Sequence, residues 1–243
     1  MRTVVFAKRC AKEILRDPIN LIFGFGFPVA LLLLLSAIQA NIPVPLFEIG
    51  HLTPGITVFG LSFLSLFSAT LLAKDRESAF LQRLYTTPLK SYDFILGYLL
   101  PLIPIAAIQS VVCYLSAFLL GLPITISVLY AVLMMLPVSV FYISLGLLCG
   151  SIFNGKQVGG ICGALLTNVS AFLSGIWFDL DLVGETFRKI AYLLPFVHAV
   201  ELERALVRGD FAKAFSYLYP VLGYAIFTTI VAILLFLRQM RKQ

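Results

Sequence analysis

An all-α integral membrane protein is the fold class that the sequence predicts, and three observations predict it. Apolar residues make up 60% of the chain and charged residues 12%, an apolar share well above the roughly 45–50% of soluble domains. The excess gathers in six uncharged runs, each long enough for the about 20 residues that a helix needs to cross the hydrocarbon layer. Backbone polar groups find no water there, so such a run must bond its own backbone as a helix. Lys and Arg, finally, lie in short clusters between the runs and form no broad basic face. The net charge of +6 therefore points to membrane orientation rather than to nucleic acid.

The first element is expected over residues 1–17. Val4, Ala7, Ala11, Ile14 and Leu15 recur at intervals of three and four, while Lys8, Arg9, Lys12 and Arg16 take the other side. This is the pattern of an amphipathic interfacial helix suited to anionic lipids of the inner leaflet, and Asp17-Pro18 should end it. Six transmembrane helices follow: Leu21 to Ala40, Thr53 to Ala73, Phe94 to Leu120, Ile124 to Phe153, Val158 to Phe178 and Tyr217 to Leu237. The first is too long for the apolar core of a secretory signal, and Ile38 stands where cleavage after Ala40 would need a small residue. Only Asn154, Gly155, Lys156 and Gln157 separate the fourth run from the fifth, so a tight cytoplasmic turn is expected there.

Residues 179–216 are too polar to cross, yet Phe187, Ile190, Ala191, Leu194, Val197, Val200, Leu202, Ala205 and Leu206 keep helical spacing. Two short outer helices, broken at Pro195, are expected in this extracytoplasmic connection before the sixth span. The positive-inside rule orients the bundle. The N-terminal segment holds Arg2, Lys8, Arg9, Lys12 and Arg16; the second-to-third connection holds Lys74, Arg76, Arg83 and Lys90; the tight turn holds Lys156; and the C-terminus holds Arg238, Arg241 and Lys242. The alternate loops hold only Arg188, Lys189, Arg204, Arg208 and Lys213, all in one long connection. Both termini are thus expected on the cytoplasmic side of the cell membrane.

Chemistry-bearing residues are few. Cys10, Cys113, Cys149 and Cys162 lack CxxC spacing and read as packing thiols, not metal ligands. His198, Glu201, Glu203 and Arg204 cluster without a third ligand at metal spacing, so ion pairing on a surface helix is the expectation. In the second crossing Phe59, Phe63 and Phe67 repeat every four residues beside Ser62, Ser65 and Ser68, a pattern that serves either packing or contact with an amphipathic molecule. In the fifth, Gly159 and Gly163 form a GxxxG pair that suits close helix approach, within the chain or to a second copy. Asn168 is costly against lipid and should face protein or a cavity.

The 74–92 connection is long for a simple loop and is expected to be structured. Its string from Leu72 through Lys74-Asp-Arg-Glu77, Ser78-Ala79-Phe80-Leu81, Arg83-Leu84 and Thr86-Thr87-Pro88 to Leu96-Gly97 resembles the region after the second helix in type-2 ATP-binding-cassette (ABC) permeases. Leu173-Ser-Gly-Ile-Trp-Phe178, Ile190-Ala-Tyr-Leu-Leu-Pro195 and Glu203-Arg204-Ala-Leu206 are similar to the segment after that family's fifth helix. Two departures accompany the match: Asp179 follows Phe178 where a Pro is common, and Ser78-Ala79 replaces a frequent Gly-Thr.

The resemblance implies a cytoplasmic coupling helix, with Arg76, Glu77, Ser78, Phe80, Leu81, Arg83 and Leu84 docking on an ATPase subunit. It implies a second permease copy or paralogue, and a pathway bordered by the second and fifth helices through Phe59, Ser62, Phe63, Phe67 and Asn168. The sequence contains no GxxxxGK[ST] loop, and Asn154-Gly-Lys-Gln157 lacks the phosphate cradle. ATP and magnesium are therefore expected on the partner, with no cofactor or catalytic residue here. The expected function is ATP-driven export of a hydrophobic or amphipathic compound: a drug, an antimicrobial peptide or a lipid-linked molecule. An intramembrane enzyme, an ion-coupled secondary transporter or a channel would ordinarily place acids, bases or broken-helix ion sites at membrane depth. The six runs carry no such ionisable groups, and Pro28, Pro101, Pro104 and Pro137 alone support these classes weakly.

Overall fold

The computed structural model describes residues 2–43, 47–78 and 91–240, and the described residues are helical without a strand. Helix α1 covers Arg2–Leu15. At Asp17 the chain turns, and the Asp17 carboxylate accepts from the Asn20 backbone N–H at 3.2 Å, capping α2 (Pro18–Gln39) with Pro18 in its first turn. Helix α3 is Ile49–Glu77, α4 is Ser91–Leu119 and α5 is Ile126–Ile152. Helix α6 joins Gly155–Val158, a π-helical Gly159–Leu166 and Thr167–Leu173. After a 3-10 turn at Leu180–Leu182 come α7 (Glu185–Leu193), α8 (Pro195–Val207) and α9 (Phe211–Met240). The extended Leu194 separates α7 from α8, and Pro195 opens the second of the pair.

Five of these helices, α2, α3, α4, α5 and α9, are long and apolar enough to cross a membrane. The run expected as a fifth crossing, Val158 to Phe178, is shorter than its apolarity suggested. Helix α6 stops at Leu173 because Gly175 adopts φ +69°, a left-handed turn that favours glycine. Helix α3, in contrast, runs one turn past its apolar segment and carries Lys74, Asp75, Arg76 and Glu77 as helix.

Helix α3 is the axis of the bundle. In its most apolar stretch 89% of residues are buried, against 22% for α2 and 28% for α9. It packs most extensively on α5, and glycines permit that approach. A methyl at Gly150 would lie 2.6 Å from the Ala69 carbonyl oxygen, and one at Gly146 would collide with the Ser65 backbone and the Ser68 hydroxyl. Ser68 in turn donates to the Ile143 carbonyl of α5 at 3.0 Å, a polar link between two apolar helices.

Candidate functional site

The C-terminal half of α1 and the last turn of α3 meet at one end of the bundle. Phe6, Cys10 and Ile14 are buried at i, i+4 and i+8, and Phe6 stands edge-on to Phe94 and Tyr98 of α4 with ring centres 5.9 and 5.0 Å apart. Of the expected apolar face, Ile14 packs into the protein but Val4 and Leu15 are exposed. The helix thus has three sectors: Phe6, Cys10 and Ile14 toward protein, Val4 and Leu15 toward the surroundings, and a basic side. Burial pushes the Cys10 thiol up to about 12, so it stays protonated and serves packing.

Beside it Arg9 donates both terminal nitrogens to the Asp75 carboxylate, one at 2.7 Å, and Tyr98 donates its hydroxyl to the same group at 2.8 Å. Asp75 is only 1% exposed. A carboxylate so deeply placed is tolerable because a two-pronged guanidinium and a phenol satisfy it. Glu13 completes the knot, 2.6 Å from Arg9 and 3.0 Å from Lys74.

The next two residues reach sideways. Arg76 donates to the carbonyls of Gly150 at 2.7 Å and Phe153 at 3.2 Å, the C-terminal end of α5. Glu77 accepts from the Gly155 backbone N–H at 2.7 Å, the N-terminal start of α6. Each charge meets the helix end that its sign complements: a cation at exposed carbonyls, an anion at exposed amides. The Asn154 side chain accepts from Gln157 N–H at 2.9 Å, completing the turn. Ser78 donates to the Asp75 carbonyl at 3.0 Å. Phe80, Leu81, Arg83 and Leu84, the other expected coupling residues, lie outside the described residues.

A family comparison bears on this architecture. The family model for the ABC-2 type transporter matches residues 1–207. The chain belongs to the ABC-2 type transporter family. It is accordingly a multi-pass membrane protein and a transmembrane subunit of an ABC transporter. No curated protein matches the chain. The family match ends with α8 and includes the whole α1–α3–α4 knot and the α5–α6 turn.

The remaining expected residues of this ABC-2 permease fall in separate places. Phe59, Phe63 and Phe67 are all buried. Phe59 and Phe63 form an aromatic chain with Phe23 and Phe27 of α2 and with Trp177, the ring centres 5.6 to 6.2 Å apart. Ser62 and Ser65 return their hydroxyls to their own helix, to the Phe59 and Ser62 carbonyls at 2.6 Å. Asn168 is exposed and donates to the Ala164 carbonyl at 2.8 Å. A methyl on Gly159 would meet open space, whereas one on Gly163 would touch Leu66 of α3 at 3.3 Å. Both glycines lie in the π-helical stretch, one against open space and the other against α3.

At the other end of α3 a second polar group gathers, which sequence reading assigned to a surface helix. Arg204, 4% exposed, pairs with Glu201 at 2.9 Å as expected, but it also donates to the Gly175 carbonyl at 2.9 Å. Glu203 corrects the surface assignment: it is fully buried because α8 packs on α3, α5 and α9. Tyr114 donates to one of its oxygens at 3.5 Å and the other has no partner among the described residues. Burial holds its carboxyl well above the usual range.

Proposed function

We propose that this ABC-2 permease is the membrane-spanning half of an ATP-driven exporter, moved by a separate ATPase subunit that docks on the 74–92 connection. The observation that carries the reading is the pair Arg76 and Glu77. They sit where α3 gives way to that connection and hold the ends of α5 and α6. A push on the connection then reaches three helices together instead of being absorbed in a slack loop. ATP and magnesium belong to the partner in this reading, and no catalytic residue is needed in the chain.

The run from Gly155 to Leu173 is the fifth of six crossings in this reading, close to the about 20 residues that a crossing needs. With six crossings, the Lys and Arg distribution of the loops supports both termini on the cytoplasmic side of the cell membrane. The open face of α6 with Gly159 and Asn168 suits a second permease copy or the central pathway, since an amide facing lipid alone is costly. The partly exposed Phe23 and Phe27, backed by Phe59 and Phe63, offer apolar, undemanding contact for a hydrophobic or amphipathic cargo: a drug, an antimicrobial peptide or a lipid-linked molecule.

The test is reconstitution with a candidate ATPase subunit in proteoliposomes. ATP hydrolysis should rise when the permease is present, and export should require ATP. Vigorous turnover by the purified chain without nucleotide would overturn the proposal. Glu77→Lys should uncouple hydrolysis from export; unchanged export by that variant removes the coupling role of the pair.

A further inference from the structure

Between α1 and the adjoining parts of α2 and α3 lies a cavity of about 890 Å³ whose lining mixes two chemistries. Ile14, Pro18, Phe67 and Leu71 give it apolar walls, and Lys8, Arg9, Lys12, Arg16 and Lys74 give it cations. Two carboxylates, Glu13 and Asp17, also line it, but both are already engaged. Glu13 pairs with Arg9 and Lys74, and Asp17 accepts from the Asn20 backbone and side-chain amides at 3.2 and 2.9 Å. That leaves Lys8, Lys12 and Arg16, spaced i, i+4 and i+8 on one stripe, with no acidic partner within ion-pairing distance among the described residues.

Three like charges along two turns repel one another unless an anion sits between them and the wall. The site also opens beside Val5, Ile19 and Ile22, all strongly exposed apolar residues where α1 hands over to the membrane-crossing α2. A molecule that satisfies every feature carries an anionic group for the stripe and hydrocarbon for Phe67, Leu71 and the exposed apolar rim. We infer that this cavity is a binding site for the phosphate headgroup of an anionic phospholipid, with its acyl chains running along α2 and α3. The site requires only membrane residence and stands apart from the exporter reading.

Native mass spectrometry of the purified full chain, titrated with phosphatidylglycerol or phosphatidylcholine, tests the site. Phosphatidylglycerol should bind with clear preference. The variant Lys8→Gln/Lys12→Gln/Arg16→Gln should weaken it about a hundredfold, since each basic group near anionic lipid contributes about a fivefold step. Thr70→Trp, which keeps every charge but fills the cavity from α3, should weaken it at least about tenfold and so separates the site from bulk electrostatics. The control Arg188→Gln/Lys189→Gln/Lys213→Gln removes equal charge elsewhere and should leave binding unchanged. Equal weakening by the control, no effect of Thr70→Trp, or no preference over phosphatidylcholine would each overturn the inference. Full displacement of the lipid by millimolar inorganic phosphate would reassign the stripe to a free anion.

Discussion

The two ends of α3 handle buried charge in opposite ways. At its C-terminal end Asp75 is enclosed by Arg9 and Tyr98, and every oxygen has a donor. At its N-terminal end Glu203 is enclosed by apolar helices, with one distant phenol and an oxygen that has no donor among the described residues. A paired ion fixes the geometry around it, because losing either partner strands the other. An unpaired acid avoids that cost by keeping its proton. One end of the bundle is thus held by charge, and the other by packing around a neutral carboxyl.

The sharpest way to break this contrast is Arg9→Ala. It leaves Asp75 buried without its cation and should lower stability by about 3 kcal/mol, read as a large fall in melting temperature in detergent. Arg9→Ala combined with Asp75→Ala should recover part of that loss, and simple additivity would show that the pair is not coupled. The loss should also be visible at Cys10. In a chain retaining only that cysteine, maleimide labelling at pH 8 should be slow, because the thiol is buried and protonated. Arg9→Ala should speed it at least about tenfold by releasing α1 from the last turn of α3 and so exposing the thiol.

Smaller effects are expected at the α5–α6 turn. Glu77→Ala removes one helix-start acceptor and Arg76→Ala the carbonyl partner of the neighbouring helix end, about 1 kcal/mol each in chemical denaturation. The smallest effect sharpens the contrast from the far end. Folded Glu203 retains its proton well above the ordinary value of 4.5. Its contribution is therefore complete below that value and is lost as pH rises through the folded pKa. Glu203→Gln, a permanently neutral isostere, should melt like the parent at pH 4 and at or above it at pH 8. A variant that melts lower at pH 8 would show that Glu203 is ionised and usefully paired.

The helices were legible because hydropathy alone decides which segments enter lipid. Helix α1 was legible as amphipathic, but not its partition: Phe6 and Cys10 carry the packing, since the partner surface on α4 lies some ninety residues away in the chain. Asp75 looked like one more charge in Lys74-Asp-Arg-Glu77. Its position was readable in principle, since Ser68, Leu72 and Asp75 continue one buried face of α3 at spacings of four and three. Glu203 likewise continues the buried face of Ala199, Val200 and Leu206. Periodicity gave no sign of the π-helical stretches Ile22–Gly26 in α2 and Gly159–Leu166 in α6, although glycines attend both: Gly24 and Gly26 in one, Gly159, Gly160 and Gly163 in the other.

Helix α3 has 29 residues and so measures roughly 43 Å as a rod. The oily slab it crosses is only about 30 Å thick. Upright in that slab its tips would stand in both headgroup zones, and each tip is tied to its neighbours, through Arg76 and Glu77 at one end and through the His51 carbonyl and Arg204 at 3.4 Å at the other. A long helix fastened at both ends and interlocked with α5 between them has the build of a mast: a load applied at one tip is shared along the bundle rather than taken up by a loop.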